Sequence, residues 1–171
     1  MVSFAVTALG VVAIVVLVSL SAFFSSSETA IFTLPDGWEE APGRDDHRVA
    51  VLRELRSDPH RLLVTVLVGN NVVNVAIASV TTALLIDALP AGTAVSAATV
   101  LASFVVLVFG EIVPKSYGLG HAREWALTVA GPLRLVERLL SPLVWAFDLL
   151  TRRIGAAIGG EGDVERPYLD E

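Results

Sequence analysis

Three apolar runs, each long enough to cross a bilayer, restrict this chain to helices packed side by side in a membrane. A hydrocarbon core about 30 Å thick needs roughly 20 apolar residues at 1.5 Å each. Inside it every backbone N–H and C=O must find a partner within the protein. The runs are Val2 to Phe24, Leu62 to Leu89 and about Thr93 to Val113. The first lacks a basic n-region and is too long for a signal-peptide core, so it reads as a span rather than a cleaved leader. Pro35-Asp36-Gly37 stops the extension of that first helix. The tight turn Asp87-Ala88-Leu89-Pro90-Ala91-Gly92 makes the last two helices antiparallel neighbours. With 171 residues, 54% of them hydrophobic, there is one membrane domain and no room for a second sizeable core. The fold class expected is therefore all-α, with three transmembrane helices.

Orientation follows from the basic residues near the helix ends. Arg44, Arg48, Arg53, Arg56 and Arg61 fall between the first and second runs. Lys115, Arg123, Arg134, Arg138, Arg152 and Arg153 follow from the end of the third. The turn between the second and third runs has none, and neither does the N-terminus. The chain is expected to start outside and end in the cytoplasm, as a multi-pass protein of the plasma membrane.

The segments between and after the spans carry patterns of their own. Residues 45–56 have helical spacing, with Val49, Leu52 and Leu55 on one face, and Ser57-Asp58-Pro59 ends the helix. It reads as a helix packed at the membrane surface. Beyond the third run, Gly118 and Gly120 are expected to break the chain. Pro132 and Pro142 follow Gly131 and Ser141, positions where a first-turn proline is tolerated. Two separate helices are expected there, Pro132 to Leu140 and Pro142 to Leu150. The first would set Arg134, Glu137 and Arg138 against Leu133, Val136, Leu139 and Leu140, the pattern of a helix lying in the interface. These prolines and charges exclude a fourth full span. From Gly155 the acidic, glycine-rich stretch to Glu171 reads as a linker, which places the domain at 1–155 and the tail at 156–171.

Composition removes several functions. Cysteine is absent, so there is no disulfide framework, thiolate metal site or cysteine nucleophile. A net charge of −6 argues against nucleic acid. His47, His60 and His121 all lie outside the apolar runs, without a Ser/His or His-Glu metal motif. No enzymatic activity is expected.

What remains is a set of polar residues inside the spans. Glu111 follows the apolar stretch Ala94 to Phe109, in Gly110-Glu111-Ile112-Val113-Pro114-Lys115. A carboxylate at that depth is costly, and its default reading is a functional site. Pro114 has no N–H and tends to open the helix before it, which exposes backbone carbonyls. The competing reading is a boundary carboxylate paired with Lys115. Ser21, Ser25 and Glu28 share one face of the first helix, with Ser26, Ser27 and Thr29 around them. Asn70 and Asn74 share one face of the second, just after Gly69. Serine and glycine in membrane helices also serve plain packing, and paired asparagines also bond neighbouring helices. Depth joins the three sets. Ser21 lies roughly 28 Å from the outer start of its helix, Asn70 roughly 12 Å from the inner start of its own, and Glu111 roughly 27 Å from the outer start of the third. All fall in the cytoplasmic half. Hydroxyl, amide, carboxylate and backbone oxygens suit Mg2+, Ca2+ or Na+ rather than zinc or copper.

Phe24-Ser25-Ser26-Ser27-Glu28-Thr29-Ala30, Gly69-Asn70-Asn71-Val72-Val73-Asn74 and Gly110-Glu111-Ile112-Val113-Pro114-Lys115 occur in that order. Over roughly residues 1–155 the chain resembles the transmembrane domain of the CorC/CNNM (cyclin M) family, also called DUF21. The resemblance implies a three-helix membrane domain with a cytosolic helical hairpin, a juxtamembrane belt of amphipathic helices, and a homodimer in the lipid bilayer. It further implies Mg2+ export driven by Na+ entry, with an ion site at Ser21, Ser25, Asn70, Asn74, Gly110 and Glu111. Glu28 belongs to the motif but lies nearer the cytoplasmic end, where a helix-capping role competes with that of a ligand.

Members of the family usually continue into a cytosolic pair of CBS domains that bind ATP, whereas this chain stops at Glu171 in an acidic linker. It is expected to be either the membrane domain of a longer protein that carries such domains or a short form. No nucleotide regulation is expected from it. The alternative to a transporter is a membrane scaffold or assembly protein in which the same polar residues only pack helices.

Overall fold

The computed structural model describes residues 4–38 and 47–157. The described residues form helices and turns: α1 (Phe4–Phe32), α2 (His47–Arg56), α3 (Pro59–Ile86), α4 (Ala91–Val105), a π-helical stretch (Val106–Ile112), α5 (Val113–Gly120) and α6 (Ala122–Ala157). Three spans have the length and apolarity to cross a membrane: α1, α3, and the continuous rod from Ala91 to Gly120. The protein is an all-α membrane protein with three transmembrane helices.

Local chemistry sets the boundaries. After α1 the chain turns at Pro35-Asp36-Gly37, where Gly37 takes a φ of 68°, a conformation that suits a residue without a Cβ. Asp58 caps α3, its Oδ1 accepting from the Arg61 N–H at 3.0 Å, and Pro59 fills the first turn where no N–H is needed. The third span runs beyond Val113, because Pro114 sits in the first turn of α5 and does not end the helix. The widening expected before this proline takes the form of the π-helical stretch, whose closing bond joins Val113 N–H to the Val108 carbonyl. Gly118 does not break the rod either. It lies against the backbone carbonyl of Ser26, a close approach that a Cβ would prevent.

α2 forms where its spacing predicts, with Val49, Leu52 and Leu55 buried, and it packs chiefly on α6. Residues 45 and 46 of the expected helix lie outside the described residues.

The segment after the third span differs from expectation. Instead of two helices that begin at Pro132 and Pro142, α6 runs unbroken through both prolines. Pro142 removes the N–H that would serve the Arg138 carbonyl, and the Ser141 hydroxyl donates to that carbonyl instead, at 2.9 Å. Pro132 and Thr128 are both exposed, so the carbonyl left without its helical donor lies on an open face. The face assignment also differs. Leu133 and Glu137 are buried, whereas Leu135 and Leu139 are exposed. Glu137 is held between two helices, with its Oε1 2.5 Å from Arg61 Nε of α3 and its Oε2 3.4 Å from Arg134 Nη1. Arg134 in turn pairs with Glu54 of α2. α6 continues through Gly155 to Ala157, and the rest of the expected linker lies outside the described residues.

The apolar core gathers at one end of the spans, where α2 and α6 close over α1 and α3. Ile31, Leu52, Leu62, Val66, Val129 and Leu133 meet there. The polar residues of the spans lie next to this plug.

Candidate functional site

α1 crosses α3 and the third span where its serines begin. Ser21 and Ser25 are one turn apart and fully buried. The Ser21 hydroxyl lies 3.0 Å from Asn70 Oδ1 and 2.8 Å from Asn74 Oδ1. It has a single proton, so it donates to one asparagine at a time. The Ser25 hydroxyl donates to Glu111 Oε2 at 2.7 Å, and Asn70 Nδ2 donates to Glu111 Oε1 at 2.6 Å. Residues from three spans therefore meet in one network around a single carboxylate.

Gly110 completes the contact. A Cβ at that position would stand 2.6 Å from Ser21 Oγ, so the rod meets α1 at this depth only because the side chain is missing. The π-helical stretch ends two residues later. Pro114, four residues on, has no N–H to offer the Gly110 carbonyl.

Six of the residues singled out in the sequence, Ser21, Ser25, Asn70, Asn74, Gly110 and Glu111, come together in this way. Glu28 is joined to them at one remove. Lys115 Nζ lies 3.5 Å from Glu28 Oε2 and 3.5 Å from Glu111 Oε2. The Lys115 pair and the converging oxygens, competing readings of Glu111 in the sequence, coexist. The other motif residues point elsewhere. Asn71 is exposed and donates to the Leu67 carbonyl, Ser26 donates to carbonyls of its own helix, and Thr29 donates to the Ser25 carbonyl. Ser27 is fully buried, and its hydroxyl has no hydrogen-bond partner.

A groove of about 210 Å3 starts beside the network and runs between α3 and α4, lined by Asn74, Ala78, Thr99, Ala102, Ser103 and Val106. Among the described residues no group of three or more His, Cys, Asp or Glu side chains stands ready to hold a metal ion. A cation at this site would rely on one carboxylate and neutral oxygens, a donor set that fits a hard ion.

The second polar cluster, Arg61, Glu137, Arg134 and Glu54, has no signature in the sequence. Its partners come from three helices, and only the Arg134–Glu137 spacing was visible.

Residues 12–171 match the Cyclin M transmembrane N-terminal domain. A chloroplastic DUF21 domain-containing protein of Arabidopsis thaliana is 36% identical over 156 residues, which cover 91% of this chain and 24% of the relative. The inner membrane protein YfjD of Escherichia coli strain K12 is 33% identical over 146 residues, 85% of this chain and 34% of the relative. A UPF0053 protein of Haemophilus influenzae is 30% identical over 157 residues, 91% of this chain and 37% of the relative. The chain thus spans only about a quarter to just over a third of these relatives' length. With the matched region running from the first third of α1 to the last residue and so taking in every element of the site, the chain belongs to the cyclin M (CNNM) family through its transmembrane N-terminal domain.

Proposed function

We propose that this domain carries a divalent cation, Mg2+, out of the cell in exchange for Na+, through the site formed by Ser21, Ser25, Asn70, Asn74, Gly110 and Glu111. The observation that carries the reading is the meeting of Glu111 with hydroxyl and amide groups from two other spans. Glu137, a buried carboxylate of the helix packing, meets only arginines, whereas Glu111 meets neutral hydroxyl and amide groups as well as Lys115. Here both of its oxygens are engaged and further neutral oxygens stand behind them. Glu111 supplies the formal charge, Ser21, Ser25, Asn70 and Asn74 supply neutral oxygens, and the Gly110 carbonyl is left without its usual helical donor. Mg2+ demands near-octahedral geometry and gives up water reluctantly, so several oxygens converging at once are what such a site requires.

The remaining parts of the reading follow from sequence and family. The basic residues near the span ends support a cytoplasmic side for α2 and α6, with the site opening to that side of the plasma membrane. Two copies associate as a homodimer. Cytosolic CBS domains, where a longer form carries them, would act on α6.

Glu111→Gln tests the proposal, because it keeps the size and removes the charge. Mg2+ flux into proteoliposomes should fall to background, and thermal protection by Mg2+ should weaken by at least ~10-fold in concentration. Normal flux by a well-folded Glu111→Gln protein would overturn the proposal and leave a scaffold whose polar residues only pack helices.

A further inference from the structure

Lys115 stands between the two carboxylates of the cluster, 3.5 Å from each. Those carboxylates are not equivalent. Glu111 is 21% exposed and already accepts from Asn70 and Ser25, whereas Glu28 is 32% exposed. Three donors therefore cap Glu111, namely Asn70 Nδ2, Ser25 Oγ and Lys115 Nζ. Each presents a proton where a bound cation needs a lone pair.

The arrangement follows from electrostatics. A carboxylate within a span is costly without a countercharge, and Lys115 offsets Glu111. A divalent cation on Glu111 would repel an ammonium in the same place, so the two cannot share it. Lysine is a compact charge on a flexible four-carbon stem, without the fixed fork that lets arginine lock onto a carboxylate. Lys115 is 46% exposed, and its second partner is already in contact. It can leave Glu111 by moving within its own reach, with no backbone change.

We infer that Lys115 is the exchangeable counter-ion of the site. It neutralises Glu111 when no cation is bound and passes wholly to Glu28 when a divalent cation takes Glu111. This rests on the ion-site reading above, and it makes Glu28 the receiver of Lys115 rather than a ligand. Exchange of one positive partner for another keeps Glu111 from ever facing the membrane as a bare charge. It also weakens binding, because the cation must displace a resident ammonium, and so favours release.

Titration of Mg2+ into the purified full chain in nanodiscs, followed by calorimetry, tests the inference. Lys115→Met keeps an apolar stem and removes the competitor, so Mg2+ should bind about tenfold tighter, the scale of one charge within a few ångströms. Lys115→Arg retains the charge and should stay near the wild-type affinity or fall below it. Glu28→Gln strands Lys115 on Glu111 and should weaken binding severalfold. In the Lys115→Met background the same Glu28→Gln change should have little effect, a non-additivity that independent sites do not show. Unchanged or weaker binding in Lys115→Met, with Glu111→Gln still abolishing it, would overturn the exchange and leave the ion site standing. Additive effects in the double variant would do the same. Failure of the wild-type protein to bind Mg2+ would remove the ion site and the exchange together.

Discussion

The two halves of α1 reverse the usual rule of burial. From Phe4 to Leu20 the helix exposes its largest apolar side chains, among them Phe4, Leu9, Val12 and Val15. From Ser21 onward it buries its smallest polar ones, Ser21, Ser25, Ser26 and Ser27, together with Phe24, Ala30 and Ile31. In water that pattern would unfold a helix bundle. In a bilayer, lipid tails are as apolar as leucine, so exposing valine costs nothing, while a hydroxyl or amide gains from a partner on another helix. Burial in this protein therefore marks polar function at least as much as hydrophobic packing. The N-terminal half of α1 is a membrane filler, and the C-terminal half is a surface built to be approached closely.

That contrast can be broken most strongly where the approach is closest. Gly118→Ala places a methyl group against the Ser26 backbone carbonyl, which cannot rotate away as a side chain does. The cost should be about 2 kcal/mol or more, read as a lowered unfolding midpoint in detergent, together with weakened Mg2+ protection as α5 is pushed from α1. A smaller effect of opposite sign is expected at Ser27, whose buried hydroxyl lacks a partner. Ser27→Ala removes an unmet donor and should stabilise the fold by about 1 kcal/mol without altering Mg2+ affinity, in contrast to any change at Ser25. The smallest effect belongs to the N-terminal half. The atoms nearest a Cβ at Gly10 belong to the branched end of the Leu84 side chain, which can turn aside, so Gly10→Ala should stay within about 0.5 kcal/mol of wild type. A large loss at Gly10, or none at Gly118, would show that the two halves do not differ as described.

The site was more legible in the sequence than the fold around it, for a physical reason. Carboxylates and paired asparagines are so costly within apolar spans that their positions alone announce a purpose, and Glu111, Asn70, Asn74, Ser21 and Ser25 do converge. The spans were equally plain from their length. Local punctuation misled. Pro132 and Pro142 read as helix starts, yet α6 passes through both, and the Ser141 hydroxyl that serves the Arg138 carbonyl explains the second. Glu137 read as part of the polar face of an interfacial helix. Its burial depends on Arg61, far away in sequence and brought close only by the packing of α3 against α6. No periodicity within one segment encodes such a partner. Gly118 read as a breaker because its neighbour, the Ser26 carbonyl, belongs to another helix.

One arithmetic property of the third span follows from the π-helical stretch. Its buried residues, Ala94, Ala98, Ala102, Gly110, Pro114 and Gly118, all fall on a strict interval of four. On a pure α-helix four residues overshoot a turn by about 40°, so six such steps would wind the stripe some 240° around the rod. The broader turns of Val106–Ile112 run the other way and take back part of that winding. The small residues that seat Ala91–Val105 on α3 thereby stay closer in phase to Gly110 and Gly118, which seat the rest of the rod on α1. Register, rather than flexibility, is what the irregular turn supplies. A one-residue insertion or deletion between Val106 and Gly110 would turn Glu111 about 100° away from Ser25 and Asn70.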